Sequence, residues 1–254
     1  MKPLDIDAVG RRLPGRQIAF FESLDSTMME AARLAAAGAP SGTAVVAEEQ
    51  TAGKGRHGHG WHSEAGSGLY VSIVLRPRMA AERLPALTLA LGLAAAEAIA
   101  RATDLECDLR WPNDLMLDGR KAAGILVEMQ EGAAVAGIGI NVNHAAFPEE
   151  LAGEATSLRL ASGHTHSRED LLAELLPTVD SFVHMLEEAG RERIFALFAR
   201  RSSYAAGKRV RVELDGQSVT GTTAGLDPNG FLRVRRDDGR EAIILAGGVR
   251  AISA

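Results

Sequence analysis

Twelve consecutive residues concentrate chemistry: Gln50-Thr51-Ala52-Gly53-Lys54-Gly55-Arg56-His57-Gly58-His59-Gly60-Trp61. Glycines let backbone N–H groups approach a ligand closely, and cations such as Lys54 and Arg56 complement phosphate or carboxylate. The stretch reads as an anion-binding loop; the plainer alternative is a surface loop with incidental charge. Gly53, Gly55 and Gly58 match G-x-G-x-x-G, but the dinucleotide version needs a helix directly after it. Here residues 61–68 intervene, with two more glycines, before a strand-like run. The Rossmann reading is therefore rejected, and the P-loop pattern is absent. His57, His59 and His62 are a second constellation in the same loop. Their spacing defines no ligand geometry and no carboxylate is apparent beside them, so a metal reading is set aside. His164-Thr165-His166 reads as a solvated turn.

A second segment is Arg110-Trp111-Pro112-Asn113-Asp114. Pro112 predicts an extended chain there. Asn113 and Asp114 are either an ordinary turn or a place where a carboxylate holds a divalent cation against phosphates. The Asp118-Gly119 turn would fold Lys121 back beside them, bringing an ammonium, an amide and a carboxylate together. Such an ammonium suits charge stabilisation during attack on an acyl or phosphoryl centre. Taken alone, Lys121 reads equally as a strand-end lysine. Gly137-Ile138-Gly139-Ile140-Asn141-Val142-Asn143 puts glycines on one strand face, a mark of close ligand or backbone approach. Ser26 and Thr27 precede a helix. Thr27-x-x-Glu30 has capping-box spacing, and a helix start beside hydroxyls can also hold a small polar ligand.

These residues need elements to position them. Strands are predicted at 18–22, 43–48 and 69–76, and helices at 28–37 and 84–101. Two hairpins follow: 115–117 turning into 122–130, and Glu131-Gly132 turning into 133–143. Ser167-Arg168-Glu169-Asp170 opens an apolar-periodic helix, which Pro177 should start or kink. Hairpins beside helices favour α+β over a doubly wound sheet. After a helix ending at Ala199-Arg200-Arg201 the pattern changes. Strands at 208–214, 217–226, 231–236, 241–245 and 249–252 are separated by Asp215-Gly216, Asp227-Pro228-Asn229-Gly230, Asp238-Gly239 and Gly247-Gly248, which suggests a small β-barrel. The expected division is residues 1–203 and 204–254.

Composition excludes several classes. With 254 residues, 46% hydrophobic and 24% charged, the chain can build a core without staples. The single cysteine, Cys107, excludes an intramolecular disulfide and a multi-cysteine zinc site. No apolar signal core opens the chain, and the uncharged run around 84–96 stops short of a membrane span, so a cytoplasmic protein is expected. Net charge is −5, which offers no global field for nucleic acid, although the last segment carries eight Lys/Arg against six Asp/Glu.

In order and spacing these pieces resemble the biotin protein ligases. The resemblance runs through Ser26-Thr27, Gln50…Gly53-Lys54-Gly55-Arg56-x-Gly58-x-x-Trp61, Ser72-Ile73-Val74-Leu75-Arg76-Pro77, Trp111-Pro112-Asn113-Asp114…Lys121-x-x-Gly124-Ile125-Leu126-x-Glu128 and 137–143. It covers about residues 18–250. It implies an α+β catalytic domain with a mixed sheet and packed helices, of the class II synthetase kind, followed by a small SH3-like β-barrel. It also implies a two-step reaction: biotin and ATP give biotinyl-5′-AMP and pyrophosphate, and the acyl group then passes to a lysine of a biotin carboxyl carrier protein. By carry-over, Ser26, Thr27, Gln50, Gly53, Lys54 and Gly124 line the biotin end. Arg56, His57, His59, Trp61, Asn113, Asp114, Lys121 and Asn141 serve ATP and the adenylate. Lys121 and Arg56 carry the catalytic charge, and Asp114 is the expected Mg²⁺ ligand.

The sequence departs from the family pattern at Met28, where Asn is usual, and at Lys54, His57 and His59, where arginines are usual. Lysine at a bidentate arginine site is not a neutral exchange, so weaker adenylate retention is expected. Fewer than twenty residues precede the first strand, so a helix-turn-helix and DNA binding are not expected, nor is a membrane partner; a homodimer stays open. A lipoate or octanoate ligase or transferase of the same fold is the nearest alternative reading. A nucleic-acid module using Arg209, Arg211, Arg233 and Arg235 is the distant one, with Phe231 as its lone stacking aromatic.

Overall fold

The computed structural model describes residues 3–78, 84–130, 132–214 and 217–252. In chain order the elements begin with α1 (Ile6–Arg12), β1 (Ile18–Leu24), α2 (Thr27–Ala36) and β2 (Ala44–Gln50). A single 3₁₀ turn at Arg56–Gly58 precedes β3 (Gly68–Leu75) and α3 (Leu84–Thr103). Next come β4 (Asp108–Arg110), β5 (Asp114–Leu117), β6 (Arg120–Gln130) and β7 (Ala133–Asn141). The helices α4 (Glu149–Ala152), α5 (Leu158–Ser162), α6 (Arg168–Ala189) and α7 (Arg191–Arg201) follow. The chain ends with β8 (Ala206–Leu214), β9 (Gln217–Leu226), β10 (Leu232–Arg236), β11 (Glu241–Ile244) and β12 (Gly248–Ala251). The Asp215-Gly216 turn and Glu131 of the Glu131-Gly132 turn lie outside the described residues.

Seven strands form one mixed sheet in the order β1-β2-β3-β7-β6-β5-β4. Only β1 and β2 run parallel; the other neighbours are antiparallel. One face carries the main core. There α3 lies between the sheet and α6, and its residues 89–96 are apolar all round, as a helix covered on both sides must be. Residues 85–103 of α3 are long and apolar enough to cross a membrane by composition, yet Leu87, Leu89, Leu91, Leu93 and Ile99 are buried inside the protein. Each such side chain contributes about 1.5–3 kcal/mol by leaving water. The other face packs α2 through Met28, Ala31 and Ala35 onto Val45, Val74 and Val135.

One element was not expected, and two expectations are corrected. The short α1 has no sequence signal beyond Asp5, whose carboxylate accepts from the Ala8 N–H; Arg12, at its end, is held by Asp170 and Glu174 of α6. Pro177 does not start a helix: α6 runs through it from Arg168 to Ala189. Thr178 Oγ1 donates to the Glu174 carbonyl at 2.7 Å, and Leu175, Leu176, Val179 and Phe182 hold both sides of the proline in the core. At Trp111–Asn113 the chain turns rather than extends, and the Trp111–Pro112 peptide is cis.

The last five strands form an antiparallel sheet ordered β11-β10-β9-β8-β12. It is joined to the larger sheet at the Arg110–Asp114 segment, where Trp111 Nε1 donates to the Gly230 carbonyl at 2.9 Å. The Arg250 guanidinium of β12 pairs with Glu154 at 2.8 Å.

Candidate active site

The α2 face of the central strands carries glycines where other strands carry side chains. Registers align Tyr70 with Gly139 and Gly139 with Gly124, and Ser72 with Gly137. The missing side chains leave a recess under α2. A Cβ on Gly137 would lie 2.6 Å from Met28 Sδ, one on Gly139 2.5 Å from Trp61 Cε2, and one on Gly124 2.9 Å from Trp61 Cζ3. Close approach, as read from 137–143, is what these glycines permit. The cavity that remains is only ≈ 40 Å³, with the Trp61 ring against Gly124 and Gly139 and Met28 against Gly137.

Thr27 closes one end. Its N–H and hydroxyl both donate to Gln50 Oε1, at 2.8 and 3.0 Å, and it accepts from Ser72 Oγ at 2.8 Å. Gln50 Nε2 donates in turn to Ser63 Oγ at 2.9 Å. The expected capping box at Thr27 is therefore not formed. Ser26 occupies the cap position, Thr27 is already helical, and Glu30 pairs with Arg33. Thr27, Gln50, Lys54 and Gly124 line the cavity; Ser26 and Gly53 do not. Ser26 is wholly buried with its hydroxyl unpartnered. Gly53 sits behind the wall, where a Cβ would meet the Trp61 carbonyl at 2.7 Å. Met28 and Tyr70 line it without having been read as ligand residues. For Tyr70 the only signal is its register opposite Gly139.

A larger cavity of ≈ 510 Å³ adjoins the first. Arg56, His57, His59, Trp61, Asn113, Asp114, Lys121 and Asn141 all line it. So do His62, Arg110, Phe147, Glu154 and, from the small sheet, 247–250. Gly55, Arg56, Trp61, Asn113 and Lys121 belong to both walls.

Lys121 reaches this junction through two local features. Asp118 and Gly119 have φ of 49° and 74°, the left-handed pair that a two-residue hairpin turn requires. The β5–β6 register then shifts between Leu115 and Met116. Residues three apart on a regular strand face opposite ways, and the bulge brings Lys121 onto the face of Gly124. Lys121 Nζ lies 2.6 Å from Asp114 Oδ1, while Arg110 binds Asp114 Oδ2 at 2.7 Å. Burial pushes the Asp114 carboxyl up, but Lys121 and Arg110 outweigh it and hold the group below its ordinary value. Nζ also stands 5.3 Å over the Trp61 ring. Arg56 donates to Asn113 Oδ1 at 3.0 Å, and Asn113 Nδ2 donates to the Ile125 carbonyl at 2.9 Å. Burial lowers the Arg56 pKa, with Asp114 opposing; it remains a cation at any working pH.

Both Asp114 oxygens are thus engaged by cations. A magnesium ion at this carboxylate would share it with Lys121 and Arg110, since each oxygen keeps a second lone pair. The histidine constellation is also rearranged. His57 and His59 are exposed, whereas His62 leaves the loop and meets Glu64 and His144.

Residues 20–144 match the biotin/lipoate A/B protein ligase family, and residues 206–247 match the biotin protein ligase C-terminal domain. The chain is 35% identical over 241 residues to the bifunctional ligase/repressor BirA of Bacillus subtilis, covering 91% of this chain and 73% of that protein. It is 34% identical over 257 residues to the biotin--[acetyl-CoA-carboxylase] ligase of Mycobacterium tuberculosis, covering 97% and 94%. Its fold is similar to that of the biotin protein ligase from Aquifex aeolicus in complex with biotin and ATP, with a TM-score of 0.84 at 30% identity over 93% of this chain and 100% of that one.

Proposed function

The chain belongs to the biotin protein ligase family and is an ATP-dependent biotin ligase, and from that premise we propose how its own residues divide the work. One observation carries the reading: the small and large cavities meet at Gly55, Arg56, Trp61, Asn113 and Lys121. Biotin takes the small recess, its ring end toward Thr27, Gln50 and Met28. ATP takes the larger cavity, and the biotin carboxylate meets the α-phosphate at the shared wall.

A biotin carboxylate oxygen attacks the α-phosphorus and pyrophosphate leaves, which concentrates negative charge between two cations, Lys121 and Arg56. Electrostatic stabilisation there needs no protein nucleophile. Asp114 and Arg110 keep Lys121 aimed at the junction, and Asn113 does the same for Arg56. No step runs through a metal held by Asp114. In the second step a lysine amine attacks the acyl carbon and AMP departs. The acceptor we propose is the biotin carboxyl carrier protein of an acetyl-CoA carboxylase; the printed name of the M. tuberculosis relative supports that choice. We also propose a division into residues 1–203 and 204–254, supported by α7 ending at Arg201 and β8 starting at Ala206. A cytoplasmic setting is supported by a lone, buried cysteine.

Trp61 fills the recess that biotin must enter, so biotin binding displaces its ring. The test of the reading is adenylate formation without carrier protein, in acid-quenched samples with ATP and either biotin or lipoate. A biotin-dependent acyl-AMP supports it; an acyl-AMP formed only from lipoate overturns it in favour of the sister chemistry.

A further inference from the structure

At the edge of the larger cavity, whose wall includes His62, one cluster among the described residues has been given no step in the two-step reaction. His62, Glu64 and His144 each present a ligand atom within 4.8 Å of the others. His144 is wholly buried, stacked on Phe147 with ring centres 5.0 Å apart. The Tyr70 hydroxyl has one proton and donates it to the Glu64 carbonyl at 3.0 Å. Toward His144 Nε2, 3.4 Å away, it can therefore only accept. The imidazole proton thus sits on Nε2, and the lone pair sits on Nδ1. That Nδ1 is buried with no hydrogen-bond partner, although buried polar groups in folded proteins are nearly always paired.

We propose that His62, Glu64 and His144 form a binding site for a borderline divalent cation of the zinc class, with a fourth position left to water. Two imidazoles and a carboxylate suit Zn²⁺, whereas Mg²⁺ and Ca²⁺ take oxygen donors. Tyr70 is the outer partner that fixes the ring of a ligating histidine. Donors of a tetrahedral zinc site stand roughly 3.3 Å apart for Zn–N near 2.0–2.1 Å. His62 is half-buried and Glu64 exposed on irregular chain, so they are the ligands that close in. His62 directly follows Trp61, so a bound ion ties the segment carrying Trp61 to the chain leaving β7. The site stands independently of the ligase reading.

The experiment uses the full, untagged chain and zinc or cobalt alone. Zinc uptake is measured by competition with a chromogenic chelator, and cobalt by its visible d–d absorption. The expected result is one equivalent per chain, a four-coordinate cobalt spectrum, and at least tenfold weaker binding in Glu64→Gln and in His62→Gln. Both substitutions are at accessible positions and leave the metal-free melting temperature unchanged. His144→Gln, at a buried position, is used only if it melts cooperatively. Failure to take up either metal would overturn the proposal. So would uptake that survives Glu64→Gln and His62→Gln, which would locate the ion at His57, His59 or His164–His166.

Discussion

Lys121→Ala separates catalysis from structure at the junction of the two cavities. Its ammonium stands 2.6 Å from Asp114 and lines both cavities. One charge about 4 Å from the developing phosphate charge contributes roughly 4 kcal/mol at an effective dielectric near 20. Every 1.36 kcal/mol is tenfold in rate, so adenylation should fall on the order of 10³-fold. The same substitution leaves Asp114 buried with Arg110 alone, which costs roughly 1–3 kcal/mol of stability. The two effects come apart in Lys121→Ala/Asp114→Asn. Asn keeps a hydrogen-bonding oxygen for Arg110 without the buried carboxylate charge, so the double variant should recover part of the melting temperature and stay as slow as the single variant. The assay is biotin-dependent pyrophosphate release under single-turnover conditions, alongside thermal melts. Release within tenfold of the wild type, or a rate restored together with the melting temperature, would refute the assigned role of Lys121.

Gly139→Ala places a methyl group against the Trp61 ring, in the recess proposed for biotin; biotin affinity by calorimetry should fall at least tenfold, and an unchanged value would mean the recess is not the biotin site. The chain has two tryptophans, Trp61 and Trp111, and Trp111 is buried and bonded to Gly230; biotin should therefore change the fluorescence of Trp111→Phe but not of Trp61→Phe, and the reverse pattern would contradict displacement of Trp61. Asp114 is held below its ordinary value by Lys121 and Arg110 against the burial that raises it; the folded state then binds fewer protons than the unfolded, so the stability is present above about pH 3.9 and lost as pH falls through the folded value. Urea melts should accordingly weaken faster below pH 4 in the wild type than in Asp114→Asn, and equal slopes would deny the coupling. Burial pushes the Cys107 thiol up to about 12, so native protein should resist an aromatic disulfide reagent at pH 8 and react only on unfolding; rapid native labelling would show the site to be open.

Elements whose signal is local were legible. Asp118-Gly119 defines its turn by backbone conformation alone, and the terminal strands lie within a residue or two of their turn dipeptides. The eight residues expected at the nucleotide end all line one cavity, because a glycine-rich loop and a hairpin keep their members close in sequence. What depended on distant partners was not legible. Helix α1 is held by contacts to α6, more than 150 positions away. Arg168 pairs with Glu48 at 2.8 Å inside the core, a partnership with no trace in either local pattern. The meeting of Lys121 with Asp114 was legible from the Asp118-Gly119 turn, but the bulge that turns Lys121 inward and the second cation, Arg110, were not. Trp61 was assigned to the nucleotide end, and only the three-dimensional register shows its ring over Gly124 and Gly139. His62 was grouped with His57 and His59 by proximity, while its partners are Glu64 and a histidine beyond β7.

The most direct test of the central claim is the intact mass of a biotin carboxyl carrier domain incubated with this protein, ATP, magnesium and biotin, with lipoate in a parallel tube. The account predicts one added biotinyl group that requires ATP. No adduct, or a lipoyl adduct in its place, would contradict it.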